Sequence, residues 1–219
     1  MVHSSGMPGS LTRGAFSGPP APPIEGGWGN GGSNPEGRGA SRGASFTGLY
    51  VLLAATTMVF AAFTSAMVVR RGLSNDWVSI HKPSILWANT AVLLVSSAAL
   101  EMARRALRAR ARDAFNVWWT AGTVLGFLFL GGQALAWQQL RSTGVFLATN
   151  PSSAFFYILT AAHAAHVVGG GAALFYVDVQ ALRLRLGPGK RTAIDVSALF
   201  WHYLNVLWLY LMMLFYIWG

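Results

Sequence analysis

Five long apolar segments dominate the sequence and restrict the folds that it can adopt. They cover about residues 47–69, 84–107, 115–140, 153–182 and 193–218. Each is long enough to cross the hydrocarbon core of a bilayer as a helix, which takes roughly 20 residues. Only 11% of the residues are charged, against about 25% in soluble domains. The pattern predicts an all-α, polytopic membrane helical bundle with five transmembrane helices.

Basic residues are concentrated in alternate loops of this predicted bundle. One set consists of Arg38, Arg42, Arg104, Arg105, Arg108, Arg110, Arg112, Arg183, Arg185, Lys190 and Arg191. The opposite set is smaller and consists of Arg70, Arg71, Lys82 and Arg141. Because cytoplasmic loops carry the excess of Lys and Arg, we expect the N-terminus inside and the C-terminus outside. The net charge of +9 then reflects membrane anchoring and not nucleic-acid binding.

Residues 1–45 differ in composition from the rest of the chain. They are rich in Gly, Pro and Ser and contain almost no apolar run. Such a segment buries too little apolar surface to offset its chain entropy, so we predict a disordered cytoplasmic tail. It lacks the apolar core of a signal peptide. Residues 46–219 are predicted to form the membrane domain.

A few polar side chains are predicted near the middle of the membrane. Counting ~1.5 Å per residue from the span ends places Thr56, His163, His166, His202 and Asn205 there. Polar groups at this depth usually have a function. At positions i and i+3, two of the histidines share one helix face. We predict an interhelical or lipid-binding polar cluster.

Two interpretations of the three intramembrane histidines remain. One is a single b-type haem held by His202 together with His163 or His166. The other, which we favour, is neutral imidazoles that hydrogen-bond between helices or to lipid headgroups. Three histidines are too few for two haems and copper. The chain has no cysteine, which excludes disulfides, thiolate-bound zinc, cysteine-bridged copper and covalent c-type haem.

The acidic residues argue against a transporter. The sequence contains seven, and all lie outside the predicted mid-membrane region, where an ion-coupled transporter would place a carboxylate. Glu101 is followed by Arg104 and Arg105 at helical spacing, which predicts a surface ion pair. The sequence shows no nucleophile–base pair and no metal motif, so we expect neither a catalytic residue nor a metal ligand.

Small residues in the third and fourth spans predict close helix packing. Without a hydrophobic force between helices in lipid, small side chains let backbones approach. The predicted packing positions are Gly122, Gly126, Gly131, Gly132, Gly169 and Gly170.

The five spans resemble, in order, the helices of cytochrome c oxidase subunit III. FYILTAAHAAHVVGG resembles the HGLHxxGG segment of that family, and WHYLNVLWLYLMMLF resembles its last helix. ANTAVLLVSSAALEMARRA and GFLFLGGQALAWQQL are similar to its LNTxVLLxSSxxLExARRA and GxxFLGGQxxEWxxL patterns. The segments concerned are Gly48–Arg71, Ala88–Ala106, Gly126–Leu140, Phe156–Gly170 and Ala198–Trp218. The helix number is that of the short bacterial form.

The resemblance implies a non-catalytic subunit of a respiratory haem–copper terminal oxidase in the bacterial plasma (inner) membrane. Such a subunit binds no haem or copper, packs on the catalytic subunit I beside subunit II, and holds phospholipid. It sustains proton uptake and stabilises turnover, while the complex reduces O₂ to water and pumps protons. A quinol oxidase or nitric oxide reductase accessory subunit is the alternative, followed by a standalone b-type cytochrome.

The chain departs from the family pattern at three acidic positions. Thr56, Ala136 and Asn205 stand where the family often has Glu, Glu and Asp. A proton-uptake role tied to those carboxylates is therefore not implied here. The scaffold and lipid role needs the three histidines and Trp201, which the chain retains.

Overall fold

The computed structural model describes residues 35–73, 84–144, 146, 150–183 and 191–218. Within these segments, the side chains are described for residues 43–217. These residues form α1 (Pro35–Leu73), α2 (Ile85–Arg108), α3 (Arg112–Ser142), α4 (Pro151–Leu182) and α5 (Arg191–Trp218). Each helix contains a stretch long and apolar enough to cross a membrane. Over the described residues, the predicted all-α fold with five spans is confirmed.

The first helix starts earlier than the predicted span. Residues 1–34 of the predicted disordered tail lie outside the described residues, whereas residues 35–45 belong to α1. Pro35 is acceptable here because the first helical position needs no backbone N–H donor. Once the apolar span has formed, adding turns to an existing helix is far easier than nucleating a new one.

A tight turn joins α2 to α3. Arg110 has a φ of 60°, in the left-handed region that ends many helices. The N–H of Ala111 donates to the carbonyl of Ala106 at 3.0 Å, and the N–H of Arg110 donates to that of Leu107 at 3.2 Å. These are the two hydrogen bonds of a Schellman motif. The turn reverses the chain at once, so α2 and α3 pack as a hairpin.

A capping box starts α4. The Asn150 side chain accepts a hydrogen bond from the Ser153 N–H at 2.9 Å, and the Ser153 hydroxyl accepts one from the Asn150 N–H at 3.2 Å. Pro151 occupies the first helical position. Together these groups satisfy backbone donors that would otherwise lack partners at the helix start.

Helices α2 to α5 form a four-helix bundle, with α1 outside it. The packed pairs are α2 with α3, α3 with α4, α4 with α5, and α5 with α2. Helix α1 packs on α4 and α5 and leaves Tyr50, Val51 and Met58 exposed. Helix α5 contacts α1, α2 and α4, and its apolar stretch is the most buried of the five, at 56%.

Most arginines of the described segments lie at one end of the bundle, which we call the arginine-rich end. It comprises the last turn of α2, the start of α3, the end of α4 and the start of α5, with Arg104, Arg105, Arg108, Arg110, Arg112, Arg183 and Arg191. The opposite end has Arg70, Arg71 and Arg141. The cytoplasmic assignment of the arginine-rich end stays a prediction.

Candidate functional site

His163 is sealed in an aromatic cluster where α3, α4 and α5 meet. Its side chain is fully buried. Its ring centroid lies 4.9 Å from that of Trp208 and 5.9 Å from that of Phe129, which it meets edge to face. Phe129 and Trp208 themselves meet edge to face at 5.0 Å. Both His163 ring nitrogens are buried and without a hydrogen-bond partner within the described part of the chain.

His166 has different surroundings, although it lies on the next turn of α4. Its side chain is half-buried, and its ring centroid lies 5.7 Å from that of Phe60 in α1. Its Nδ1 is 2.7 Å from the Ala162 carbonyl oxygen. A carbonyl can only accept, so Nδ1 is the protonated nitrogen.

His202 and its neighbour Trp201 attach α5 to the α2–α3 hairpin. The His202 Nδ1 is hydrogen-bonded to the Ser97 hydroxyl of α2. The Trp201 indole N–H donates to the Ser96 hydroxyl at 3.1 Å. Ser96 in turn donates to the Gly122 carbonyl of α3 at 2.7 Å. Serines within helices usually bond to their own helix, whereas these two join three helices.

The three histidines therefore face three different neighbours. His163 faces α3 and α5, His166 faces α1, and His202 faces α2. Among the described residues, no group of three or more His, Asp or Glu side chains could hold a metal ion.

Three further tryptophans link helices in the same way as Trp201. Trp208 donates to Thr90 Oγ1 at 2.9 Å, Trp119 to the Leu174 carbonyl at 3.1 Å, and Trp137 to Thr160 Oγ1 at 3.2 Å. Each ring buries apolar area while its N–H finds a partner on another helix.

Thr56 and Asn205, the other members of the predicted polar cluster, are both buried. The Asn205 amide donates to the Trp201 carbonyl one turn earlier, at 3.0 Å. Asn205 Oδ1 and Thr56 Oγ1 have no hydrogen-bond partner within the described segments. The same holds for both amide atoms of the buried Gln133. Sequence reasoning missed Gln133 as a polar core position, although a Gln flanked by apolar residues within the span was the available signal.

The predicted packing glycines fall into two groups. A Cβ on Gly126 would lie 2.6 Å from the Trp201 ring, one on Gly122 2.8 Å from Leu100, and one on Gly170 3.1 Å from Leu204. A Cβ on Gly132 would clash with the Asn89 amide. At the remaining two positions, Gly131 and Gly169, a Cβ would meet no atom within 4 Å.

Three ion pairs between described residues lie at the arginine-rich end. Glu101 is 3.1 Å from Arg104 and 3.5 Å from Arg105. Arg104 also lies 3.3 Å from Asp195, which joins α2 to α5. This third pair was missed because its partners are far apart in the sequence. At the same end, Thr120 donates to the Asp178 carboxylate at 2.7 Å.

An apolar cleft of about 530 Å³ opens between α1, α4 and α5, and we call it the α1–α4–α5 cleft. His166 and Ser197 are the polar side chains of an otherwise apolar wall. The lining residues are Gly48, Leu49, Leu52, Ala165, His166, Gly169, Ala173, Val196, Ser197 and Phe200. The volume and the apolar wall of the cleft suit an acyl chain.

Comparison with known proteins agrees with this architecture. The family model for cytochrome c oxidase subunit III matches residues 43–219. Cytochrome c oxidase subunit 3 of Thermostichus vulcanus is 28% identical over 78% of this chain and 85% of its own length. The corresponding protein of Corynebacterium diphtheriae is 27% identical over 74% of this chain and 82% of its own. The chain therefore belongs to the cytochrome c oxidase subunit III family and is an integral membrane subunit of a haem–copper oxidase complex.

Proposed function

We propose that this chain is the non-catalytic subunit III of a respiratory terminal oxidase in a bacterial plasma membrane. It packs on the catalytic subunit I, which lies beside subunit II. The complex reduces O₂ to water and pumps protons, while this chain stabilises turnover. Haem and copper belong to the partner subunits. The arginine-rich end faces the cytoplasm, in keeping with the excess of basic residues there.

The separation of the three histidines is the observation that carries the non-catalytic assignment. His163 is held between aromatic rings, His166 bonds to its own helix, and His202 bonds to Ser97. Haem ligation by a pair of these side chains would require them to approach one centre from opposite sides. The polar side chains of the bundle instead form hydrogen bonds between helices, which fix the helices relative to one another.

The exposed apolar faces support a role as a subunit. On α3, Val124, Phe127 and Leu128 are exposed, and Gly131 lies on the same helix with open space at its Cβ. A small residue on an outward face lets a partner helix approach closely. We assign this face of α3 to contact with another oxidase subunit.

The α1–α4–α5 cleft is the proposed phospholipid site of this subunit. Its volume and apolar lining suit acyl chains. His166 lines the cleft, and its Nδ1 is already bonded to the Ala162 carbonyl of its own helix. Lipid held there would fill the space between α1 and the bundle and so keep α1 in place.

Affinity purification from native membranes in mild detergent tests the proposal. We expect a larger subunit to co-purify with haem bands in the reduced-minus-oxidised spectrum, and these bands to vanish when this chain is isolated alone. A b-type band that follows the isolated chain would overturn the non-catalytic assignment. The haem types of the complex separate a cytochrome c oxidase from a quinol oxidase or a nitric oxide reductase.

A cleft-filling variant tests the lipid site. Gly169→Leu places a side chain into the α1–α4–α5 cleft, whereas Ala172→Leu puts a leucine at an exposed neighbouring position outside it. We expect only the first variant to reduce the phospholipid retained per complex. Equal lipid content in both variants would show that the cleft does not hold the lipid.

A further inference from the structure

A second cavity of about 310 Å³ lies at the arginine-rich end, on the other side of α5 from the α1–α4–α5 cleft. Its polar wall is formed by Arg104 and Arg108 of α2 with Arg191 and Asp195 of α5. Three guanidinium groups thus face one carboxylate, and that carboxylate lies 3.3 Å from Arg104. The cavity therefore carries an excess of positive charge.

The donors of Arg108 and Arg191 remain available to a ligand, and each terminal nitrogen of Arg104 keeps one further N–H. Arg108 and Arg191 form no hydrogen bond or ion pair within the described segments. Arg104 uses its two terminal nitrogens on Glu101 and Asp195, while its Nε is buried without a partner. Guanidinium groups bind phosphate oxygens through paired, charge-assisted hydrogen bonds. The chemistry of the cavity therefore suits a phosphate group.

The rest of the cavity is apolar. Phe46, Leu107 and Leu199 complete its wall. Phe46 belongs to α1, so the cavity lies over the seam between α1 and α5. A free phosphate would gain nothing from this apolar wall, whereas a lipid phosphate would bring acyl chains to cover it.

The same seam continues into the membrane. Another cavity, of about 370 Å³, is lined by Thr57 and Phe60 of α1 and by Tyr203 and Val206 of α5. Positions 195, 199, 203 and 206 of α5 are three or four apart and so form one stripe. From position 195 to position 206, α5 rises about 17 Å at ~1.5 Å per residue. That is about half of the ~30 Å hydrocarbon core, or the depth of one leaflet.

We propose that this seam binds one anionic phospholipid of the leaflet at the arginine-rich end. Arg104, Arg108 and Arg191 bind its phosphate, and an acyl chain lies along the stripe of α5 towards Val206. The site is separate from the α1–α4–α5 cleft, and it goes beyond the proposed function.

The test uses the intact oxidase complex purified from native membranes. Phosphatidylglycerol, phosphatidylcholine and inorganic phosphate are titrated separately, and the lipid bound per complex is counted by native mass spectrometry. The double variant R108Q/R191Q removes two of the phosphate ligands. Arg183→Gln is the matched control, because Arg183 lies at the same end outside the cavity. Leu199→Trp fills the apolar wall and leaves all three guanidinium groups in place.

We expect phosphatidylglycerol to bind R108Q/R191Q about 25-fold more weakly, since each basic residue near the surface contributes about fivefold. Arg183→Gln should bind like the wild type. Leu199→Trp should also lose the lipid, which keeps the test decisive if the double variant does not assemble. Inorganic phosphate should not displace the lipid.

Three results would overturn the proposal. The first is unchanged phosphatidylglycerol binding in both R108Q/R191Q and Leu199→Trp. The second is full competition by inorganic phosphate with no effect of Leu199→Trp, which would assign the site to free phosphate. The third is loss of a protein subunit with lipid retained, which would make the seam a protein contact. The haem bands of the same purified complex test the proposed function, whereas the lipid count tests the lipid site. Either proposal can therefore fail without the other.

Discussion

The contact between Gly126 and Trp201 allows a quantitative test of the packing in this bundle. A Cβ at Gly126 would lie 2.6 Å from Cη2 and 2.7 Å from Cζ2 of the indole ring. The ring is rigid and 1% exposed, so it cannot rotate away without moving its neighbours. We predict that Gly126→Ala displaces Trp201 and destabilises the junction of α3 with α5.

The size of the effect follows from two contributions. Overpacking of this kind typically costs about 1–3 kcal/mol. Movement of the ring also weakens the 3.1 Å hydrogen bond from Trp201 to Ser96, which contributes about 1 kcal/mol more. Gly131→Ala is the matched control, since it lies on the same helix with open space at its Cβ. Both variants gain the same helix propensity, so they should differ by about 2–4 kcal/mol.

The assay is unfolding of the purified protein by sodium dodecyl sulfate in mixed micelles, which yields the free energy of unfolding. Both glycine variants are also made in a Trp201→Phe background, where the atoms that contact Gly126 are absent. In that background, the difference in unfolding free energy between Gly126→Ala and Gly131→Ala should shrink to under ~1 kcal/mol. The comparison of the two backgrounds is a double-mutant cycle, which isolates the interaction between positions 126 and 201. Equal destabilisation by Gly126→Ala in both backgrounds would refute the assigned contact.

Three further substitutions probe other polar contacts, with stability measured in the same way. Ser97→Ala leaves His202 Nδ1 without its partner and should destabilise the protein by about 1–3 kcal/mol. Trp119→Phe removes the N–H that bonds to the Leu174 carbonyl and should cost at least about 1 kcal/mol. Asn205→Asp removes the donor to its own helix and buries a carboxyl group, so we expect a loss of several kcal/mol and no faster proton uptake by the oxidase.

Each of these predictions has its own check. Ser65→Ala and Trp118→Phe alter exposed side chains and should change stability by less than ~0.5 kcal/mol. A Ser97 or Trp119 variant as stable as these controls would contradict its hydrogen-bond assignment. Faster proton uptake in Asn205→Asp would indicate that the position still serves proton transfer.

Periodicity and charge in the sequence predicted the helices and missed most of the contacts that join them. The second span was expected over about 84–107 and is observed as Ile85–Arg108, because charge marks where an apolar run leaves the membrane. The pairs of Glu101 with Arg104 and Arg105 could be anticipated from helical spacing alone. The contact of Arg104 with Asp195 could not, since it depends on which helix packs beside α2.

The sequence by itself determined that this chain spans a membrane five times and which family it resembles, because apolar length and local motifs are properties of contiguous residues. Only the tertiary structure decided what the polar groups contact. His163 and His166 share a face at i and i+3, yet one is sealed against Phe129 and Trp208 and the other faces Phe60. An offset of three residues still rotates a side chain about 60° around the helix. Because α4 packs on α1, α3 and α5, that rotation is enough to move a histidine from one neighbouring helix to another.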